Sequence, residues 1–226
     1  MVPMTLAVII ATADRPDSIA ETLGHLAKCE VPGGGELHVI VADNGSGGAT
    51  EQVCRERFDG LQVEHLKTSP GKSRALNLAA DHANADLLVF TDDDVNPSPG
   101  WLVELERAAR EYPEHLLFGG PITPLWPDDM PDYLDGSIYL GHLFSRLESE
   151  QATGPTKELR PFGPNMALRR EAFERGVRFD ETIGPGTETS MGDDTQITRQ
   201  VARLGQAAVY VSAARVFHRV RPDQLS

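Results

Sequence analysis

Short apolar runs alternate with helix-patterned segments along the first half of this chain, and that alternation restricts its fold more than any other feature. Residues 6–11, 37–42, 87–90 and 116–120 are largely apolar stretches of strand length, and 62–66 reads as a further strand with Val63 and Leu66 apolar. Between them apolar side chains recur at helical spacing: Ile19, Leu23 and Leu26 before the break at Gly33, Gly34 and Gly35, then a segment at 50–58. Leu76, Ala79, Ala80 and Ala83 follow within 72–83, and Pro99 and Trp101 open a last segment to about residue 111. Short apolar runs bounded by turn formers read as buried strands, and recurrence every three to four residues reads as amphipathic helix. Repetition of this β-α unit specifies an α/β fold, a Rossmann-like, mainly parallel sheet with helices on both faces.

In such a sheet ligands bind outside the carboxyl ends of the strands. The residues that leave the apolar runs are Thr12 after the first, Asp43 after the second, and Asp92, Asp93 and Asp94 after the fourth. Three adjacent carboxylates repel one another, so a clefted triplet needs a compensating cation. Hard divalent cations such as Mg²⁺ or Mn²⁺ bind carboxylate oxygens and bridge to phosphates. On these residues alone two readings stand: a metal–phosphate site, or a solvated acidic turn ahead of a helix.

Charge narrows the partners. A formal net charge of −13 over 226 residues argues against nucleic acid, whose phosphate backbone needs a basic surface. It also sets an unfavourable average field against any anionic substrate, so a local cation would matter more. Cys29 and Cys54 fit no metal spacing and form no disulfide framework, so a reduced cytoplasmic setting is expected, with both thiols packed as small apolar groups on helices. No run reaches the roughly 18 apolar residues of a membrane span. The apolar N-terminus lacks a preceding basic residue, so residues 4–11 read as the first strand and not as a signal peptide.

Beyond residue 120 the rhythm stops, and residues 121–161 read as a long functional loop or lid. Order resumes at 165–168, a short helix from about 170, a helix from Asp193 with Ile197, Val201 and Leu204 on its apolar side, and strands at 207–211 and 215–220. No internal repeat or linker divides the chain, so a single domain is expected. Two nucleotide motifs fail. Gly71, Lys72 and Ser73 lack the upstream Gly of a P-loop, since Leu66 stands there. Gly45, Ser46 and Gly47 lack the third Gly of a dinucleotide fold, since Thr50 stands there.

The order of the motifs carries a resemblance. Val8, Ile9, Ile10, Ala11 and Thr12; then Val41, Ala42, Asp43, Asn44, Gly45 and Ser46; then the segment 72–77; then Thr91 to Val95 resemble the family 2 glycosyltransferases. In the second half Phe162, Gly163, Pro164 and Asn165, then Phe179, Asp180 and Glu181, then Gly192, Asp193 and Asp194, then Val216, Phe217 and His218 are similar to that family's acceptor-side motifs. The resemblance implies an A-type glycosyltransferase architecture, an inverting transfer, a nucleotide-diphosphate sugar donor, UDP-linked on the family pattern, and Mn²⁺ or Mg²⁺. It divides the domain into a donor half at about 1–95 and an acceptor half at about 96–226. Asp43 is then expected to meet the base, with Thr12 and Asp14 at the base or ribose. Arg74, which shares a helix face with Asn77, would help hold the nucleotide. Asp92 faces the ribose, Asp94 and His218 hold the metal, and the role of Asp93, grouped with the nucleotide contacts, stays open. Asp194 is the expected base, and Asp193, Asn165 and Trp126 are acceptor-side candidates. Trp126, Tyr133 and Tyr139 are available either to stack on sugar rings or to pack beneath a lid.

A glycan, a lipid-linked saccharide or a small molecule would serve as acceptor. A homo-oligomer is compatible with the sequence, and membrane association is not indicated. Two other classes compete. A nucleotidyltransferase would carry a Gly-rich basic loop after the first strand, where this chain has Thr12, Ala13, Asp14 and Arg15. A non-catalytic nucleotide- or carbohydrate-binding domain would not need Asp94, Asp194 and His218 together.

Overall fold

The protein is described by a computed structural model covering residues 4–127, 144–185, 187 and 192–225. Strands β1 (Leu6–Thr12), β2 (Leu37–Asp43), β3 (Leu61–Lys67) and β4 (Leu87–Asp92) are parallel neighbours in the order β3-β2-β1-β4. Their crossovers are helices α1 (Pro16–Leu26), α2 (Ala49–Cys54) and α3 (Lys72–His82). The sheet continues through β9 (Met166–Arg169), β6 (Leu117–Gly119), β10 (Ala208–Tyr210) and β8 (Gly154–Thr156). Helices α4 (Trp101–Glu111), α5 (Arg170–Glu174) and α6 (Asp193–Arg203) complete the larger layers.

The two-residue period of a strand explains the sandwich. On β1, Val8 and Ile10 face a core shared with Ile19, Leu23, Leu26, Trp101, Leu102 and Leu105 of α1 and α4. Ala7, Ile9 and Ala11 face the opposite core, with Ala75, Leu76, Ala79 and Ala80 of α3 and Ile197 and Val201 of α6. Each fully buried aliphatic side chain contributes about 1.5–3 kcal/mol of transfer free energy, which sets the register of the central strands. A one-residue slip would reverse both faces.

The sheet is mainly parallel, as expected, with two antiparallel members: β9 runs antiparallel between β4 and β6, and β8 antiparallel to β10. One expectation needs correction. The stretch 121–161 is not wholly irregular, because it contains β7 (Ile122–Leu125) as well as β8. Strand β7 belongs to a second, three-stranded sheet with β5 (Val95–Pro97) and β11 (Val216–Arg219), in the order β5-β11-β7. These strands are only three or four residues long, too short for a period to register in the sequence. Cys54 ends α2 and is buried; Cys29 follows α1 and is partly buried, and burial pushes their thiols up to about 11 and about 12. No helix among the described residues is long and apolar enough to cross a membrane.

Candidate active site

The carboxyl ends of β1, β2 and β4 lie side by side, with Thr12 in register with Asp43 and Ala11 with Asp92. Above this edge opens a cleft of about 810 Å³. Two helix N-termini close its sides. Gly71 precedes α3 with φ 120°, and Gly192 precedes α6 with φ 106°, a region that favours glycine. Lys72 thus enters the cleft at the start of α3, and Asp193 and Asp194 enter at the start of α6, where the helix dipole favours carboxylates.

The acidic triplet divides in the turn that leaves β4. Asp92, at the strand end, forms a 2.6 Å ion pair with Lys72. Asp93 turns inward and is fully buried: Thr12 Oγ1 donates to its Oδ2, and Arg15 Nη2 lies 2.6 Å from its Oδ1. Burial pushes Asp93 up to about 6, against the pull of Arg15. Asp94 faces the cleft. The next residue, Val95, begins β5, which pairs with β11 so that Val95 stands opposite His218. That pairing brings His218 Nε2 to 3.2 Å from Asp94 Oδ1. The small second sheet is the device that joins these two residues.

Potential ligand atoms of Asp92, Asp94 and His218 all lie within 4.8 Å of one another. The imidazole is oriented for a metal, because its Nδ1 is 3.0 Å from the Phe144 carbonyl oxygen. A proton on Nδ1 donates there and leaves Nε2 directed at the carboxylate, the usual outer-shell arrangement of a metal-bound histidine. Asp94 Oδ1 is buried with His218 Nε2 set against it at 3.2 Å, a spacing that a shared proton or a cation would satisfy. Burial acts to lower the His218 pKa, but the hydrogen bond and charge of Asp94 outweigh it and raise it. Burial acts to raise Asp94, yet His218, Arg15 and Lys72 hold it well below the usual carboxylate range. One carboxylate-rich, single-imidazole set of this kind suits Mg²⁺ or Mn²⁺.

Asp194 lies across the same cleft. Its Oδ1 accepts from Thr195 N at 2.6 Å, and its Oδ2 from Gly163 N at 3.4 Å. Burial first, then the charge of Asp193, raises its pKa, with the two N–H groups and Lys72 opposing.

Thr12, Asp92, Asp94, Asp193, Asp194 and His218 therefore converge on one cleft. Other candidates lie around it. Asp43 is buried, with Gly45 N donating to Oδ1 at 2.9 Å while His65 Nε2 and Lys67 Nζ each lie 3.0 Å from Oδ2. Its pKa is lowered because these partners outweigh burial. Asp14 holds the neighbouring loop through the N–H groups of Ser46 and Gly47. Arg74 is half-exposed and pairs with Glu181 at 2.9 Å. Asn77 packs beside it, exchanging hydrogen bonds with the Phe179 backbone.

Asn165 does not reach the cleft as an acceptor contact. It is fully buried, its Nδ2 donates to the carbonyls of Pro121 and Ala214, and its Oδ1 accepts from Trp101 Nε1. Every polar atom of that side chain is used in joining β6–β7 to α4 and the turn before β11. Trp126 packs edge-on against Phe144 with ring centroids 5.0 Å apart and does not line the cleft. Tyr133 and Tyr139 lie outside the described residues. Sequence reasoning gave no role to three cations that do line the cleft, Arg15, Lys72 and Arg221. Their signal was positional: Arg15 follows the end of β1, Lys72 opens α3, and Arg221 lies two residues past β11 of the small sheet.

The family model for glycosyl transferase family 2 matches residues 7–177. The chain belongs to this family. A curated relative, the succinoglycan biosynthesis protein ExoM of Rhizobium meliloti (strain 1021), is 32% identical over 96% of this chain and 67% of its own length. Among solved structures, S. aureus TarS in complex with UDP superposes with a TM-score of 0.69 at 18% identity, covering 98% of this chain and 62% of that one. The mannosyltransferase PcManGT of Pyrobaculum calidifontis, in complex with GDP-Man and Mn²⁺, gives 0.63 at 20% identity, covering 98% and 59%. These structural likenesses show the A-type glycosyltransferase fold. As a family 2 glycosyltransferase the chain spans about two thirds of this curated relative and less of the solved ones.

Proposed function

We propose that this glycosyltransferase moves a sugar from a UDP-sugar to a saccharide hydroxyl, with inversion and with a divalent metal held by Asp94 and His218. The observation that carries the reading is the meeting of Asp92, Asp94 and His218 with Asp194 in one cleft. Asp194 accepts the proton of the acceptor hydroxyl. The acceptor oxygen forms its bond to the anomeric carbon from the face opposite the diphosphate, and the bond to the diphosphate oxygen breaks, releasing nucleoside diphosphate. The metal, when bound, neutralises the diphosphate and stabilises the charge that develops on it. Lys72 keeps Asp92 oriented at the floor, where Asp92 can meet the ribose or share the metal.

The donor half, about 1–95, supplies Thr12, Asp14, Asp43, Arg74, Asp92, Asp93 and Asp94 in this reading, and the acceptor half supplies Asp193, Asp194 and His218. A raised Asp194 pKa supports the role of base, since a stronger base accepts a hydroxyl proton more readily. The UDP assignment follows the family pattern and the UDP complex of TarS, while the GDP-Man complex of PcManGT names the competitor to be tested.

The test is to incubate the full chain with Mn²⁺ and a panel of UDP- and GDP-sugars, reading release of nucleoside diphosphate. Slow hydrolysis of a UDP-sugar that stops with chelator and in Asp94→Ala is the expected result. Donor turnover that persists with chelator would remove the metal, and turnover confined to GDP-sugars would remove the UDP assignment.

A further inference from the structure

Arg15 and Arg221 line the cleft without a part in the mechanism above, and both converge on one oxygen. Arg221 Nη1 is 2.9 Å and Arg15 Nη1 3.2 Å from Asp94 Oδ2, while Oδ1 faces His218. Arg15 has a second anchor, since its Nη2 meets buried Asp93 at 2.6 Å. Arg219 behaves differently. It donates to the Ser18 carbonyl, Thr22 Oγ1, the Asp93 carbonyl and Asn96 Oδ1, pairs with Glu21 at 3.4 Å, and braces α1 against β11 without reaching Asp94.

The geometry points to a displacement: Arg15 and Arg221 occupy Asp94 in the donor-free enzyme, and both guanidiniums pass to the donor's diphosphate when a divalent cation takes that oxygen. The inference rests on the nucleotide-sugar reading above. A cation on Asp94 would repel two guanidiniums that both contact the same carboxylate oxygen. Neither can travel far. Asp93 tethers Arg15 by its other nitrogen, and Arg221 lies two residues past the end of β11. Their next partner must be an anion in the same cleft, and a diphosphate bridging to the metal is such a group. A guanidinium presents paired N–H groups that match two phosphate oxygens.

Charge balance agrees. Five carboxylates, Asp92, Asp93, Asp94, Asp193 and Asp194, stand around the cleft against three permanent cations, Lys72, Arg15 and Arg221. A divalent cation offsets that excess, and the diphosphate then restores negative charge for the released arginines to meet. Asp93, the member of the acidic triplet without an assigned task, becomes a positioning residue that keeps Arg15 at the lip of the cleft.

Calorimetric titration of the full chain tests this in separate arms: Mn²⁺ alone, UDP or GDP with Mn²⁺ or with chelator, and uridine or guanosine with chelator. Arg221→Gln is expected to bind Mn²⁺ several-fold more tightly than the wild type, because a competitor for Asp94 is gone. Its affinity for the nucleoside diphosphate at saturating Mn²⁺ should fall roughly tenfold, as for loss of a charged hydrogen bond, while nucleoside affinity is unchanged. Arg221→Lys, which keeps the charge, should hold Mn²⁺ affinity near the wild-type value, and circular dichroism melts check that each variant is folded. Asp93→Asn should weaken nucleoside diphosphate binding as Arg15→Gln does, with the double variant no weaker than either single one. Unchanged or weaker Mn²⁺ binding in both Arg221→Gln and Arg15→Gln overturns the displacement. A wild type that binds Mn²⁺ but no nucleoside diphosphate overturns the donor reading instead, and the Mn²⁺ arm still reports on Asp94 by itself.

Discussion

Asp194 carries opposed influences, and their balance sets a measurable pH dependence. Burial and the Asp193 charge raise its pKa, and the N–H groups of Thr195 and Gly163 act against them. A base must be ionised to accept a proton. Transfer is therefore lost as pH falls through the raised pKa, so the acid limb of kcat should lie above the usual aspartate value. Asp193→Asn removes the like charge and should move that limb to lower pH, which a kcat–pH profile reads directly. Asp194→Asn should lower kcat by about 10²- to 10⁴-fold, with donor affinity nearly unchanged; a smaller loss would assign the proton to another group. At this scale the sequence was informative about residue type and silent about partners. Asn165 and Asp194 both sit in motifs of the acceptor half, yet Asn165 spends its amide on Trp101, Pro121 and Ala214. Only the fold brings those three groups to it.

Among the elements, the strand ends were legible and the small sheet was not. β1, β2 and β4 each carry a continuous apolar run, so the positions of Thr12, Asp43 and Asp92 at one edge followed from periodicity. β5, β7 and β11 are too short for that, and His218 could be matched to Asp94 only through resemblance. What brings β11 to β5 includes a close crossing at Gly120. A Cβ there would lie 2.2 Å from the Ala214 carbonyl oxygen and 2.6 Å from that of Val211, both backbone atoms that cannot rotate away. Gly120→Ala must push the 211–214 turn, and with it the start of β11, off the larger sheet. Overpacking of this kind costs about 1–3 kcal/mol. The variant should melt earlier and bind Mn²⁺ more weakly than wild type, although position 120 touches no metal ligand. Retained Mn²⁺ affinity in a destabilised variant would mean that β11 docks independently of this crossing.

Over the whole molecule, the net charge of −13 opposes a dianionic donor, so the cleft needs its own positive charge. Lys72, Arg15 and Arg221 supply part of it, and a divalent cation on Asp94 and His218 would supply the rest. A ligand that binds only the folded state stabilises it by mass action, about 2.7 kcal/mol at one hundred times its dissociation constant. For a chain of this length that corresponds to a rise in Tm of about 5–10 °C. Mn²⁺ should produce such a rise in the wild type and in Asp43→Asn, because Asp43 is engaged with Gly45, His65 and Lys67 and is not among the residues that could hold a metal. Asp94→Ala and His218→Ala should lose it. The Asp43 variant separates a local metal seat from a general response of an acidic protein to divalent cations. If a metal-dependent rise of equal size survived in Asp94→Ala, the cation would be screening the surface, and Asp94 and His218 would be a structural pair.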